Sequence, residues 1–411
     1  GKELWTAGES GESITLYAGF NEQDEARFIV EQLEQWLDAG NNRASAAILY
    51  RSNAQSRVLE EALIRAAIPY RIYGGQRFYE RMEIRNALAY LRLLLNRGDD
   101  AAVERVINTP PRGIGSKTLD TVRDCARSRG VSMWQAIALV TDEKLLPARA
   151  LSALQGFVVL INELDTGTDE LLLEEVVEQV IQASSLIDFH EKEKGERGQA
   201  RVENLEELVS AAKQFAPEGD ELSPLQQFLD SAALDAGDAQ ADEHEDSVQL
   251  MTLHSAKGLE FPLVFLAGME ENLFPHRMSL EEPGRLEEER RLCYVGITRA
   301  MEKLMITYAE SRRLHGSETF NTPSRFIREI PAELLQEVRL HTAVARPVSS
   351  ITQAQVPETE LCLGQRVYHQ IFGEGVVLNF EGRGASARVE VNFDAEGSKW
   401  LVLQYANLQL I

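Results

Sequence analysis

Cysteine is scarce in this chain, whose 411 residues include three, Cys125, Cys293 and Cys362. They are far apart and form neither a CxxC pair nor another metal-ligand spacing, which excludes a disulfide framework and a zinc cluster. We therefore expect ordinary core or surface cysteines, and we predict no metal ligands. This cysteine usage fits a protein of the reducing cytoplasm.

Long apolar runs are also missing. No stretch approaches the twenty or so apolar residues that a membrane-spanning helix needs, so we expect no membrane as a partner. The segment Gly1–Trp5 has no feature of a signal peptide. Because the chain starts with Gly1 rather than methionine, we expect it to be a portion of a longer protein.

Positively charged residues are outnumbered: the chain has 42 Lys and Arg and 65 Asp and Glu, which gives a net charge of −23. A passive nucleic-acid binder is usually basic, so this balance argues against one without excluding it. Much of the acid lies in Asp169–Glu178 and Glu218–Asp246, whereas arginines cluster elsewhere. A basic groove within an acidic whole remains compatible with the sequence.

A nucleotide-binding P-loop is absent as well. That motif needs GxxxxGK[ST], in which adjacent glycine and lysine hold the phosphates. Gly113–Thr118 comes near, but Ser116 separates Gly115 from Lys117, so we reject it as a nucleotide site. Nothing in the sequence resembles a Ser-His-Asp triad or a Rossmann fingerprint.

Short apolar runs rich in Val, Leu and Phe are present near both ends of the chain, and they are typical of buried strands. In the first seventy or so residues they alternate with helical patterns, which indicates a parallel α/β sheet. Strands are predicted at Ser13–Ala18, Ala46–Tyr50, Pro69–Tyr73, Val248–Leu253, Leu263–Ala267 and Lys303–Tyr308.

Between the two groups of strands, helical periodicity dominates from Glu83 to Ala233, which predicts a helical insertion in the α/β domain. A short helix is predicted at Pro323–Ile330. Residues 341–360 are poor in large apolar side chains and contain two prolines, as linkers do. The last fifty or so residues alternate between short apolar strands and Gly-rich turns, which predicts a small all-β barrel.

Polar residues directly after the predicted strands mark a candidate site, because open α/β sheets bind ligands at the ends of their strands. The loop His254–Glu260 follows one strand, and Arg51 and Asn53 follow another. His254 and Thr252 are able to donate hydrogen bonds to a phosphate backbone. Glu260 either accepts from a ribose hydroxyl or faces solvent.

Arg299 is added to this site because a guanidinium fork suits phosphate oxygens and stabilises charge on a transferring γ-phosphoryl group. The alternative is a surface ion pair with one of Glu287–Glu289, which residue type alone favours.

The segment Arg112–Gly115 lies between two predicted helices. Helix–GxG–helix hairpins bind duplex phosphates through exposed backbone N–H groups at a helix start, and Arg112 and Lys117 add positive charge. The alternative is a tight turn that needs a positive φ, and local sequence does not separate the two interpretations.

Four segments together resemble motifs of the UvrD/PcrA/Rep family of superfamily-one DNA helicases. Thr252–Phe261 (TLHSAKGLEF) resembles motif V and Tyr294–Ala300 (YVGITRA) resembles motif VI. Gly74–Ile84 (GGQRFYERMEI) is similar to motif IVa, and Leu49–Arg57 (LYRSNAQSR) is similar to a further family signature. Their order and spacing also match, and the likeness covers essentially the whole chain.

The resemblance implies a role for each candidate residue. Arg299 would be the catalytic arginine finger on the γ-phosphate, and Glu260 and Gly258 would contact the nucleotide. His315 stands where an aromatic residue is expected, and imidazole stacks on a base more weakly. The residues implied for single-stranded DNA are Arg51, Asn53, Thr252, His254, His276 and His315. Those implied for duplex DNA are Arg112, Gly113, Ile114, Gly115 and Lys117.

The resemblance also implies the architecture. Residues 1–71 and 247–340 would be the second of two RecA-like P-loop-type motor domains. Residues 72–246 would be its 2B-type helical insertion, and residues 361–411 a Tudor-like barrel. The expected fold class is therefore α/β with a helical insertion and a small all-β module.

The implied activity is ATP-dependent 3′ to 5′ translocation and unwinding of DNA, in nucleotide excision repair, mismatch repair and replication. The cofactor is ATP with Mg²⁺, whose ligands are expected on a missing N-terminal RecA-like domain, so this chain alone should not hydrolyse ATP. The implied partners are single-stranded and duplex DNA, that N-terminal domain, RNA polymerase and repair proteins. A dimer on DNA and a location in the bacterial cytoplasm at the nucleoid are further expectations.

Two other interpretations compete. A non-enzymatic adaptor for DNA or RNA polymerase would explain the missing P-loop, but it would need neither Arg299 nor Glu260. A helicase–nuclease subunit of the RecB or AddA type is disfavoured, because the β-rich C-terminal residues lack a cluster of nuclease carboxylates.

Overall fold

The computed structural model describes residues 11–338 except 167, 169–170, 194, 220–221, 238–244, 282–283 and 315–316. Beyond these it describes residues 365–369, 372–381, 388–393, 397–402 and 408–410. The chain divides into two compact units, Gly1–Val338 and Arg339–Ile411, which are described separately. The predicted linker, residues 341–360, lies outside the described residues.

A parallel sheet organises the first unit. Its strands and a neighbouring hairpin are β1 (Ile14–Gly19), β2 (Ala46–Tyr50), β3 (Tyr70–Ile72), β4 (Val248–Thr252), β5 (Phe261–Leu266), β6 (Ala300–Ala309), β7 (Ser311–Leu314), β8 (Ser317–Phe320) and β9 (Leu335–Val338). Within the described residues, the main sheet has seven strands in the order β3-β4-β2-β5-β6-β1-β9, all parallel, while β7 and β8 form an antiparallel pair.

The helices of the first unit fall into three groups along the chain. The first pair is α1 (Glu22–Asp38) and α2 (Ser56–Arg65). The middle group is α3 (Met82–Leu95), α4 (Asp100–Val106), α5 (Ser116–Arg129), α6 (Met133–Asp142), α7 (Ala148–Asp165), α8 (Leu173–Ala183), α9 (Leu186–Glu191), α10 (Glu196–Gln214) and α11 (Pro224–Gly237). The last pair is α12 (Arg277–Glu281) and α13 (Arg285–Ile297).

Burial explains why the strands of the main sheet read as continuous apolar runs. All five residues of β2 are buried, because α1 and α2 cover one face of the sheet and α13 packs on the other. On α1, Phe28, Ile29 and Leu33 supply the buried face, and Asn21 caps the helix by accepting from the Asp24 N–H. The predicted α/β class is therefore confirmed.

The middle helices pack around an apolar core of their own. One long helix, α10, also contacts the sheet region through polar pairs: the Arg57 Nε donates to Glu207 at 2.7 Å, and Arg81 donates to the Asn204 side chain at 2.9 Å. Through α10, groups more than a hundred residues away in sequence reach the ends of the strands.

Several elements differ from the sequence prediction. Within the predicted helical insertion, α8 is followed directly by a separate short helix, α9, because Ser185 adopts a left-handed conformation between them. The hairpin β7–β8 and strand β9 were missed, since both are short and carry few apolar residues. Where a helix was predicted at Pro323–Ile330, the structure has a 3₁₀ turn over Ile327–Glu329.

The second unit contains an antiparallel sheet. Its strands are β10 (Arg366–His369), β11 (Gly373–Glu381), β12 (Arg388–Phe393), β13 (Gly397–Val402) and β14 (Gln409–Leu410), in the order β13-β12-β11-β10-β14. The part of this unit that is described has a core formed by Val367, Val377, Val389, Val391 and Phe393. The predicted small all-β module is confirmed.

Two of the cysteines, Cys125 and Cys293, are buried and free, as expected of core residues. Cys362 lies outside the described residues. Over the ranges that the structure covers, no helix is long and apolar enough to cross a membrane.

Candidate functional site

A groove of about 580 Å³ lies at the carboxyl ends of β2 and β4, beside the start of α12. Both strands are followed directly by polar groups, as the sequence predicted for an open α/β sheet. Five of the six residues predicted to contact single-stranded DNA line this groove, namely Arg51, Asn53, Thr252, His254 and His276. The sixth, His315, lies outside the described residues.

Arg51 is held by Glu289 of α13. Its Nε lies 3.1 and 3.0 Å from the two carboxylate oxygens, and Nη2 lies 2.7 Å from one of them. The two side chains are 12% and 5% exposed, so this is a nearly desolvated, bidentate pair. Burial alone would raise the pKa of Glu289, but the hydrogen bonds and charge of Arg51 outweigh it and lower the pKa.

His276 is held by the second carboxylate of the groove, Glu203 of α10. The His276 Nε2 lies 3.1 Å from Glu203 Oε1, and the Ser52 hydroxyl donates to Oε2 at 2.5 Å. These hydrogen bonds outweigh burial and lower the pKa of Glu203. The carboxylate therefore stays ionised and occupies donors that a phosphate would otherwise use.

The remaining groove residues are more accessible. His254 is exposed, and its pKa is lowered by partial burial and then by the charge of Arg51, so the ring is neutral at pH 7. The Thr252 hydroxyl lies 3.1 Å from the Ser255 hydroxyl at the turn that follows β4. These groups offer the groove neutral donors beside the paired arginine.

Sequence reasoning missed the opposite wall of the groove. It is formed by the α9–α10 region, where Glu196, Arg197 and Glu203 line the same space. Nothing in the local pattern marks them, because Glu203 is 151 residues from Ser52 in sequence. Only the packing of α10 against the end of the sheet brings them together.

Arg299 lies at the opposite end of the strands of the main sheet, immediately before β6 begins. Its guanidinium donates to the Leu259 carbonyl at 2.7 Å, the Val295 carbonyl at 3.0 Å and the Thr298 hydroxyl at 3.1 Å. The interpretation of Arg299 as a surface ion-pair partner of Glu287–Glu289 is therefore wrong for this structure. Those three carboxylates instead pair with other arginines, Arg290, Arg291 and Arg51.

Gly258 and Glu260 lie beside Arg299, in the loop that ends at β5. Gly258 has φ +88°, a conformation that residues with a Cβ rarely adopt. Glu260 is exposed and forms no ion pair within the described part of the chain. An uncompensated carboxylate, an open glycine and a guanidinium bound to neutral oxygens are groups that suit a ribose and a terminal phosphate.

The sequence grouped the loop His254–Glu260 and Arg299 in one site, and the structure divides it in two. His254 follows β4, at the end of the sheet where the parallel strands finish, which we call the carboxyl edge. Glu260 and Arg299 precede β5 and β6, at the end where the strands begin, which we call the amino edge. A six-residue strand such as β5 is roughly 20 Å long. The loop therefore crosses the sheet and joins two separate sites.

The predicted duplex-binding loop joins α4 to α5. Gly113 has φ +81° and is exposed with Gly115, so the tight turn with a positive φ is present. Ile114 is 1% exposed and belongs to the helical core. Lys117, in the first turn of α5, is exposed, and N–H groups at this helix start remain accessible to a phosphate.

Arg112 has an internal position in this loop. Its guanidinium donates to the carbonyls of Val106 and Pro110 at 3.1 Å and of Ser184 at 3.3 Å. These bonds tie the loop to the end of α8. The contribution of Arg112 here is to shape the turn that presents Gly113 and Gly115.

The fold and the two sets of polar residues define a class, the C-terminal domain of a UvrD-like helicase. The sequence model of the UvrD-like helicase C-terminal domain matches residues 1–311, and that of the PcrA/UvrD tudor domain matches residues 363–409. The chain belongs to the UvrD-like helicase family, which confirms the resemblance found in its motifs.

Curated relatives refine this placement. The chain is 57% identical over 416 residues to DNA helicase II of Escherichia coli (strain K12), and equally so to DNA helicase II of Salmonella typhimurium. It is 39% identical over 426 residues to the ATP-dependent DNA helicase PcrA of Staphylococcus epidermidis. These matches cover 98–100% of this chain but 57–58% of each relative, so the chain spans little more than half their length.

Proposed function

We propose that this chain is the C-terminal part of an ATP-dependent DNA helicase that moves 3′ to 5′ along single-stranded DNA and unwinds the duplex ahead. One observation carries the proposal. Five residues predicted to contact single-stranded DNA line one groove, although they come from three separate parts of the chain: the ends of β2 and β4, and the residue before α12. Relatives named as DNA helicases support the same activity.

In the proposed mechanism, the groove binds the backbone of the single strand. A phosphate would replace the Glu289 carboxylate that now holds Arg51, and the Arg51 fork would then donate to two phosphate oxygens. Asn53, Thr252 and His254 supply neutral hydrogen bonds to neighbouring phosphates and sugars. His276 reaches the strand once its ring leaves Glu203.

ATP would bind at the amino edge, between this sheet and a first RecA-like domain that carries the P-loop. Glu260 would accept from the ribose hydroxyls, and Gly258 would keep the loop open for the nucleotide. Arg299 would turn from the carbonyls of Leu259 and Val295 toward the γ-phosphate as the cleft closes. ATP supplies the phosphoryl transfer, and we place the Mg²⁺ ligands on the other domain.

The crossing loop would couple the two events. Thr252 and His254 belong to its DNA-facing end, and Gly258 and Glu260 to its nucleotide-facing end. Leu253 and Ala256, between them, are buried against the core on the α13 face of the sheet. Closure around ATP would therefore displace the DNA-facing end of the loop in the same movement, and this displacement would advance the DNA strand.

The biological setting is proposed from the relatives. A DNA helicase II-like enzyme would act in nucleotide excision repair, mismatch repair and replication, in the bacterial cytoplasm at the nucleoid. The Tudor-like module would contact RNA polymerase, other repair proteins would bind elsewhere, and two copies would assemble on DNA.

The test is unwinding by a fusion of this chain to the part of Escherichia coli DNA helicase II that the match does not cover. A fluorophore and quencher report strand separation of a 20-base-pair duplex with a 3′ tail, a 5′ tail or no tail. We expect ATP-dependent separation of the 3′-tailed duplex at least about tenfold faster than of the other two.

A matched fusion carrying N53A and H254A should bind single strands less tightly and unwind more slowly, with its basal ATP turnover unchanged. A folded parent fusion that binds DNA but separates no duplex would reject the helicase proposal and favour the adaptor alternative. Faster unwinding of the 5′-tailed duplex would reject the direction.

A further inference from the structure

Gln55 does not line the groove at the carboxyl ends of β2 and β4, but it belongs to the turn that does. Its side chain is 8% exposed, and it ends the 3₁₀ turn Asn53–Gln55 that follows β2. The preceding residues Arg51, Ser52 and Asn53 all line the groove. A buried amide directly behind a site needs hydrogen-bond partners, and its partners show what it holds in place.

One end of the Gln55 amide holds the backbone of this turn. The side-chain oxygen accepts from the N–H of Arg51 at 3.0 Å and from the N–H of Ser52 at 2.8 Å. Both N–H groups lie beyond Tyr50, the last residue of β2 that pairs with a neighbouring strand. The side chain therefore replaces the partners that the sheet no longer supplies, and it fixes the path of the chain along the groove.

The other end of the Gln55 amide faces the end of β5. Its Nε2 donates to the Ala267 carbonyl in a long hydrogen bond of 3.5 Å, and Gly268 follows with φ +72°. A Cβ at Gly268 would collide with the Gln55 Nε2, so the amide fills the space that a side chain would need there. Gly268 is itself fixed, because its N–H donates to the buried Glu25 carboxylate at 2.8 Å. Gln55 thus joins the turn to a rigid neighbouring strand end.

Two groove residues of this segment differ in how their side chains are held. Arg51 has a support of its own, the bidentate pair with Glu289. The Asn53 side chain forms no hydrogen bond in the part of the chain that the structure describes. Asn53 is fixed through its backbone instead, since its carbonyl accepts from Arg81 at 2.9 Å. The place of the Asn53 amide in the groove therefore depends on the turn, and the turn depends on Gln55.

We propose that Gln55 is a positioning residue for Asn53, which it holds in the groove as a neutral contact to single-stranded DNA. This inference deepens the function proposed above and rests on it. Gln55 itself would not touch the DNA. An amide such as that of Asn53 offers both donors and an acceptor, and contacts of this kind to phosphates and sugars fix the register of a bound strand.

The experiment compares Q55M with a matched control, Q135M, in the helicase fusion described above. Gln135 belongs to a second capping box, in which its side chain accepts from the Ser132 N–H at 3.1 Å at the start of α6. The control removes the same kind of hydrogen bond from a residue that is not part of the groove lining. Fluorescence anisotropy measures oligo(dT) affinity at several salt concentrations. Hydrogen exchange measures the protection of a peptide spanning residues 49–57, and thermal unfolding checks the fold.

We expect Q55M to bind oligo(dT) about tenfold more weakly than the parent and Q135M to stay within about twofold, because only Q55M leaves the N–H groups of the groove turn without an acceptor. In an N53A background, Q55M should weaken binding less than about twofold, since the two residues act as one unit. The slope of log affinity against log salt should not change, because the lost contact is neutral.

Peptide 49–57 should lose protection in Q55M and not in Q135M. A second variant, Q55N, keeps the amide but shortens its reach by one methylene group. Q55N should lose affinity in the same way as Q55M, and it replaces Q55M if that variant does not fold.

A loss of affinity that is as large in the N53A background as in the parent would overturn the positioning of Asn53. A salt slope that falls by about 0.7, which corresponds to one phosphate contact on a single strand, would assign the effect to Arg51 and overturn it too. Equal affinities of Q55M and Q135M would leave Gln55 with a structural role only. A parent fusion that fails to bind oligo(dT) would instead reject the proposed function, and this inference with it.

Discussion

The two edges of the main sheet use positive charge in opposite ways. At the carboxyl edge, the Arg51 guanidinium is bound to the carboxylate of Glu289. At the amino edge, Arg299 is bound to two carbonyls and a hydroxyl, all neutral. The charge of Arg51 is therefore compensated by a carboxylate, whereas the charge of Arg299 is not.

The difference indicates how each edge would exchange partners. A phosphate of single-stranded DNA must displace a carboxylate from Arg51 or His276. Binding there is therefore an exchange of one anion for another. Arg299 has only neutral hydrogen bonds to give up, and such bonds contribute about 1 kcal/mol each. An arginine held in this way is able to move toward a phosphate at small cost, which suits a group used once in each catalytic cycle.

The largest expected effect is on Arg299. In the helicase fusion, R299A should slow DNA-stimulated ATP hydrolysis by roughly a thousandfold or more, because the variant has no guanidinium to stabilise the γ-phosphate in the transition state. Affinity for single-stranded DNA should stay within about twofold. The control is R291A, since Arg291 is on the neighbouring helix α13 but is exposed and paired with Glu288. Equal turnover by R299A and R291A would remove Arg299 from the catalytic site.

The second effect is on Arg51. R51A leaves the buried Glu289 carboxylate without its cation, which should lower the free energy of unfolding by about 3 kcal/mol in urea titrations. R325A, which removes an arginine that is 42% exposed in its pair with Glu271, should cost less than about 1 kcal/mol. The double variant R51M/E289Q should recover most of the stability. If it is as unstable as R51A, the uncompensated charge is not the cause.

A smaller effect is expected at Gly258. G258A forces a Cβ into the left-handed region, which costs roughly 1–2 kcal/mol and should raise the KM for ATP several-fold in the fusion. Oligo(dT) affinity, measured on the same samples, should be unchanged because the opposite edge is intact. The matched control, G156A in α7, lies in a helix with open space around it and should be neutral or stabilising. A normal KM for G258A would mean that the nucleotide does not need this loop.

The smallest effect is a pH dependence at the carboxyl edge. The pKa of His254 is lowered by burial and by Arg51, so the ring is neutral at pH 7 and gains its charge as the pH falls. A bound phosphate favours the charged ring, so single-strand affinity should rise about threefold between about pH 7.5 and pH 5.5. H254N should flatten this profile, and H276N should leave it in place. The reverse result would show that His254 is not the group responsible for the profile.

The strands show how much local pattern is able to predict. All six predicted strands of the main sheet are present within about three residues of their predicted ends, because strands buried on both faces must be apolar throughout. Strand β9 and the hairpin β7–β8 escaped prediction because an edge strand and an isolated hairpin need no such run. Ser185, whose left-handed backbone divides α8 from α9, carries no local signal either.

By itself, the sequence determined the α/β class, the small β module, and which polar residues directly follow or precede a strand. These properties depend on nearest neighbours and on whether each side chain is apolar. Only the tertiary structure decided that His254 and Arg299 belong to opposite edges, because that depends on the parallel pairing of β4, β5 and β6 with their neighbours. It also decided that Glu203 bonds to Ser52 and that Glu289 pairs with Arg51 in the groove, since those contacts join residues 151 and 238 positions apart. Pairs so distant form through the packing of whole helices against the sheet, which no local pattern records.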